Sequence, residues 1–129
     1  MMAAHTVLIV DDEPSIVDVW TRILSVAGYD VVCAADANEA LRVLREAQVT
    51  VAICDVHLPG ASGLWIADMI REQFPATAII LASGDPLVPP REALRPAVVA
   101  YIVKPVSSEQ LITTVRTGIA WSLDQTRVH

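Results

Sequence analysis

Five short apolar runs, each stopping within a residue or two at a polar or charged side chain, constrain this chain more than any other feature. They are Thr6 to Val10, Val31 to Ala34, the run from Val51 that halts at Asp55, Ala78 to Ala82, and Val98 to Val103. Runs this short and this rich in β-branched residues predict strands buried on both faces. Segments of helical period separate them, so each strand is followed by a crossover back over the sheet. That alternation implies a doubly wound α/β domain, a parallel sheet with helices on both faces and right-handed crossovers.

The helical segments carry their own punctuation. Pro14 suits a first helical position, and Ile16, Trp20, Ile23, Leu24 and Ala27 recur at helical spacing until Gly28 supplies the stop. Asp36, with Glu39 three residues on, forms a capping box ahead of an inner face of Ala40, Leu41, Val43, Leu44 and Ala47. Beyond Gly63, the residues Ile66, Ala67, Ile70 and Phe74 face inward, and Pro75 closes the helix. Ser107 and Gln110 cap the last helix, with Val106 and Leu111 as a hydrophobic staple. Its inner stripe is expected to be Leu111, Ile112, Val115, Ile119 and Leu123, with a polar tail from Asp124 to His129 that frays. Trp65 and Trp121 fall on the polar sides of their helical wheels. Pro86 to Pro96 holds four prolines, so any helix there is short or displaced. A chain of 129 residues organised this way is expected to be one domain, 1–129, with its core in 6–123.

Composition narrows the function classes. The formal net charge is −6 and the basic residues form no cluster, which argues against direct nucleic-acid binding, since phosphate recognition rests on positive patches. Although 53% of residues are hydrophobic, the longest uninterrupted apolar run, Ala97 to Val103, is far short of the roughly 20 residues that span a bilayer. Met1 to Val10 has no basic leader and runs straight into Asp11 and Asp12, so a soluble cytoplasmic protein is expected, with no membrane partner. Cys33 and Cys54 fall on the second and third strands. With a strand between them their backbones would sit about 9 to 10 Å apart, beyond the roughly 7 Å a disulfide bridges. Both read as small core residues in a reducing compartment.

The chemistry gathers where the strands end, which in a parallel sheet is the edge that opens into a ligand crevice. Asp11 and Asp12 follow the first strand, Asp55 ends the third, Ser83 follows the fourth and Lys104 the fifth. If the first and third strands are neighbours, three carboxylates converge, and like charges that close repel unless a cation intervenes. Magnesium suits such a site, because it takes oxygen ligands and uses only one or two protein carboxylates beside phosphate and water. Asp12 and Asp55 are assigned as direct ligands, Asp11 as an outer partner through water, and the backbone carbonyl of His57 as a further ligand. A metal-neutralised Asp55 can attack phosphorus and form an acyl phosphate, with Lys104 and Ser83 as donors to the new dianion.

The acidic pair after strand one, Asp55-x-x-x-Pro59 with Gly63 following, the small hydroxyl residue Ser83 and the dipeptide Lys104-Pro105 together resemble the receiver domain of two-component response regulators. The likeness runs from Thr6 to about Leu123. It implies a flavodoxin-like (βα)5 three-layer sandwich with strand order 2-1-3-4-5, an order also found in chemotaxis regulators. It implies that Asp55 takes a phosphoryl group from a phosphohistidine on a sensor histidine kinase or a histidine phosphotransfer protein, with Mg²⁺ as cofactor. The chain would then be a phosphoacceptor rather than an enzyme acting on other substrates. It further implies a cis bond before Pro105 and a switch pair of Ser83 and Tyr101. Phosphate drawing Ser83 inward lets Tyr101 turn, altering a face formed by the family's fourth helix, fifth strand and fifth helix, where an effector or a second copy docks.

Some residues depart from that pattern. The proline-rich Pro86 to Pro96 stands where the fourth helix belongs, which bears on dimerisation through that face, and His57 replaces a long apolar residue. A flavodoxin-like cofactor binder would share the sheet, but Asp11-Asp12-Glu13 would repel the cofactor's phosphate. A haloacid-dehalogenase-type phosphatase wants a second acid two residues after its nucleophile, and Asp55-Val56-His57 lacks it. The remaining alternative is a receiver-like interaction module that is never phosphorylated.

Overall fold

The strands form where the apolar runs stand. The computed structural model describes residues 4–84 and 95–127. In it β1 (Thr6–Val10), β2 (Asp30–Ala34), β3 (Val51–Asp55), β4 (Ala78–Ser83) and β5 (Val98–Val103) make one parallel sheet in the order β2-β1-β3-β4-β5. The helices among the described residues are α1 (Pro14–Val26), α2 (Ala37–Glu46), α3 (Gly63–Gln73) and α4 (Ser108–Arg127). Residues 86–94 of the proline-rich segment, where any helix was expected to be short or displaced, lie outside the described residues.

The helices divide between the two faces of the sheet. Leu8, Val10, Ala52, Cys54, Ile79 and Leu81 pack against α2 and α3, while Val7, Ile9, Val51, Ile53, Ile80 and Ala82 pack against α1 and α4. Successive strand residues point to opposite faces, so buried runs with no polar alternation are what a sheet covered twice requires. Cys33 and Cys54 are free, with β1 between their strands and their side chains on opposite faces. None of the described helices is long and apolar enough to cross a membrane.

Helix caps follow the sequence signals. The Asp36 carboxylate accepts from the Glu39 amide at 2.8 Å, and the Ser107 hydroxyl from the Gln110 amide at 3.0 Å. Each satisfies an amide that the first turn leaves without a partner.

Four expectations need correction. Ala27 is exposed rather than buried, because α1 ends at Val26. The helix after β5 continues through Asp124 to Arg127 instead of fraying there. Its buried face is Leu111, Val115, Gly118 and Ser122, so Leu123 is turned out, 44% exposed, while Trp121 packs inward. Gly118 lies on this face against the sheet: a Cβ there would be 3.0 Å from a Val51 methyl and 3.4 Å from the Ala78 Cβ, so the missing side chain suits a close approach of α4. At that distance the Ser122 hydroxyl reaches the Ala76 carbonyl.

β5 also carries an irregularity. Ile79 pairs with Val98 but Ile80 with Ala100, leaving Val99 as an extra residue. Val99 and Ala100 consequently both face α1 and α4, and Tyr101 is rephased to the opposite side, across from Leu81.

Candidate acidic site at the strand ends

Register brings the acids together. Val10 pairs with Cys54, so Asp11, one residue past β1, stands beside Asp55 at the end of β3. Asp11 continues the ladder through its amide to the Ala34 carbonyl at 3.0 Å. On the far side, the Lys104 amide donates to the Ser83 carbonyl at 2.8 Å, which fixes where the lysine leaves the sheet.

Both buried acids are oriented by the same local device. The Glu13 amide donates to Asp11 Oδ1 at 2.9 Å and the His57 amide to Asp55 Oδ1 at 3.0 Å, each an Asx turn in which the side chain binds its own backbone two residues on. The other oxygen of each turns to Lys104, whose Nζ lies 2.7 Å from Asp11 Oδ2 and 3.3 Å from Asp55 Oδ2. Asp11 is 3% exposed and Asp55 6%. Burial by itself pulls the lysine's pKa down, but the hydrogen bonds and charges of Asp11 and Asp55 outweigh it and hold the ammonium above its ordinary value.

Asp12 is exposed and completes the set: one oxygen each from Asp11, Asp12 and Asp55 lie within 4.8 Å of one another. A cleft of about 520 Å³ lined by Asp12, Val56, His57 and the loop from Leu58 to Ser62 opens beside them. Three hard carboxylate donors, two anchored and one facing solvent, fit an ion that keeps part of its water shell. Asp11, expected as an outer partner through water, contributes one oxygen to this group and is the lysine's nearer partner.

The remaining sequence candidates fall as follows. His57 is exposed, lines the cleft and holds Asp55 through its amide. Ser83 is fully buried as the last residue of β4, next to Asp55's partner Ala82. Tyr101 lies across from Leu81, two residues before Ser83, and packs into the α2 and α3 side of the core. Its hydroxyl is buried without a hydrogen-bond partner among the described residues. The Lys104-Pro105 peptide is cis. Cys54, next to Asp55 in sequence, is inert: burial, reinforced by the Asp55 charge, pushes its thiol up to about 12.

Two contributors besides the motif residue Gly63 were not singled out from sequence. Gly63 opens α3 directly against the Asp55 backbone, where a Cβ would lie 2.2 Å from the Asp55 carbonyl oxygen, and Ser62 caps the helix by accepting from the Trp65 amide at 3.2 Å. A Ser directly before a glycine and an apolar helical pattern is a start signal that could have located the cap. The other is Trp20, whose ring centroid is 5.9 Å from Lys104 Nζ. Its helical spacing marks a core residue and gives no hint of the lysine.

The profile of the response regulator receiver domain family matches residues 7–116. Solved structures agree in fold. A CheY-like receiver domain protein from Methanospirillum hungatei superposes with a TM-score of 0.88 at 27% identity, covering 95% of this chain and 99% of that one. The chemotaxis protein CheY4 of Vibrio cholerae gives 0.82 at 32%, covering 88% and 98%. The response regulator TrrA of Thermotoga maritima, solved in complex with Mg(2+)-BeF, gives 0.80 at 29%, again covering 88% and 98%.

Proposed function

The chain belongs to the response regulator receiver domain family of two-component systems, and from that premise we propose that Asp55 accepts a phosphoryl group from a phosphohistidine. The donor is a cytoplasmic sensor histidine kinase or a histidine phosphotransfer protein. In the reaction an Asp55 carboxylate oxygen forms a bond to phosphorus as the phosphorus–nitrogen bond breaks, and the electron pair leaves with the donor imidazole. The product is an acyl phosphate that water later hydrolyses.

Each side chain has a part. Asp11, Asp12 and Asp55, with the His57 carbonyl, would hold Mg²⁺, an ion the Thermotoga maritima relative was solved with. When bound, that ion neutralises charge shared between donor phosphate and acceptor carboxylate. Lys104, already between Asp11 and Asp55, is placed to meet the phosphoryl oxygens with a charge-assisted hydrogen bond, and Ser83 offers a hydroxyl from the next strand. The Asx turn at Asp55 holds the carboxylate so that its attack needs little reorganisation.

The output is a change of surface. Drawing Ser83 toward the phosphoryl group alters the packing above Leu81 and Tyr101, and Tyr101, on the side of β5 away from α4, passes that change through β5 to the face the strand helps form, where an effector or a second copy docks. The phosphoryl group supplies the difference in interaction energy that such a shift requires.

The single observation that carries this reading is Lys104 bridging Asp11 and Asp55 beside Asp12. The test is incubation with acetyl phosphate and Mg²⁺ followed by intact-protein mass spectrometry. Wild type should gain one hydroxylamine-labile phosphoryl group, with none in Asp55→Asn or when chelator replaces Mg²⁺. Labelling that persists in Asp55→Asn, or its absence from folded wild type, would overturn the assignment.

A further inference from the structure

We infer that Trp20 is a positioning residue for Lys104: its buried indole ring walls the lysine into the place from which the ammonium meets an incoming phosphoryl group. This rests on the reading of Asp55 as the phosphoacceptor.

Trp20 lies in the middle of α1 and is 4% exposed, so its ring is held by the core around it. Long helical side chains lean back toward the helix N-terminus, which in α1 is the end that follows Asp11 and Asp12. The ring centroid is 5.9 Å from Lys104 Nζ, within the range at which an ammonium is attracted to an indole. A lysine is a point charge on a flexible four-carbon stem, so two carboxylate partners alone leave its stem free to pivot. Here the side chain is 11% exposed, with the acids on it as hydrogen-bond acceptors and Trp20 as an aromatic neighbour that offers no competing acceptor. The arrangement keeps one N–H direction of the ammonium uncommitted to a carboxylate.

Lys104 is the chain's only lysine, which makes the test direct. Protein grown with lysine carbon-13 labelled at Cε gives a single ε-methylene signal. In wild type its protons should be displaced upfield by the indole ring current, partly so in Trp20→Phe, and close to the free-lysine position in Trp20→Leu. A free-lysine position in wild type overturns the inference without any variant being needed.

The functional arm compares phosphoryl incorporation from acetyl phosphate at saturating Mg²⁺. Losing the aromatic face should slow Trp20→Leu by roughly 2- to 30-fold, the span of cation–π energies converted to rates, with Trp20→Phe closer to wild type. Mg²⁺ affinity should stay unchanged in both. An unchanged rate in folded Trp20→Leu, or a parallel loss of Mg²⁺ affinity, overturns the positioning role. Failure of wild type to take phosphate overturns the Asp55 assignment instead, and leaves the ring-current result standing as a separate measurement. If Trp20→Leu does not fold, the wild-type signal and Trp20→Phe decide.

Discussion

Lys104 Nζ stands 2.7 Å from Asp11 and 3.3 Å from Asp55, so the lysine leans on the acid that is not the proposed acceptor. Asp11 thereby acts as its anchor, and the longer contact is the one an incoming group would replace.

Replacing Lys104 should therefore separate binding from transfer. A charge-assisted hydrogen bond is worth about 1.5 to 3 kcal/mol, or roughly 10- to 100-fold. Lys104→Met should slow phosphoryl incorporation from acetyl phosphate by that factor at saturating Mg²⁺, while Mg²⁺ still binds, as followed by titration calorimetry.

The same pair sets an alkaline limit on stability. Asp11 and Asp55 overcome the effect of burial and raise the lysine's folded-state pKa, so its contribution is complete below about pH 10.4, the unfolded value, and is lost as pH rises through the folded value. Urea unfolding across that range should show wild type losing stability relative to Lys104→Met. Parallel curves for the two proteins would contradict it.

Gly63→Ala should damage the site through the backbone. Its Cβ would be 2.2 Å from the Asp55 carbonyl oxygen and 3.0 Å from the Val56 Cα, neither of which can swing aside. Overpacking of this kind costs about 1 to 3 kcal/mol, and the strain falls on the acceptor strand. Thermal unfolding should report the loss, together with weakened Mg²⁺ binding.

Tyr101→Phe should be neutral or stabilising in the unphosphorylated protein. The hydroxyl is buried with no partner among the described residues, and leaving such a group unsatisfied costs about 1 to 3 kcal/mol. Denaturant unfolding checks this, and a marked loss of stability would show that the hydroxyl is bonded in solution.

Thiol chemistry gives an independent check on the core. Cys54 is fully buried with its thiol pushed up to about 12, whereas Cys33 is half-buried. At pH 8 a thiol reagent should modify Cys33 alone in the native protein, and Cys54 only after denaturation.

What the sequence made legible follows from where its signals are strong. Strands ending at Asp55, Ser83 and Lys104 could be read because an apolar run stops abruptly at a polar residue, and parallel order then aligns those ends. The extra residue at Val99 could not, since Val98 to Val103 is apolar throughout and has no alternation to reveal a change of phase. The rotation of α4 that buries Ser122 and exposes Leu123 shows only once the helix is packed on the sheet, with Gly118 against Val51, and is a property of the packed pair and not of either segment. Trp20 was visible as a core residue, but its meeting with Lys104 depends on β5 lying near α1, a relation no local pattern encodes.

The ion pair between Asp11 and Lys104 joins positions 93 residues apart, from the first strand to just past the last. A chain still emerging from the ribosome, or one clipped before β5, has its aspartates but lacks the cation that holds two of them. In such a fragment Asp11 and Asp55 would face each other without the ammonium that contacts both in the finished fold.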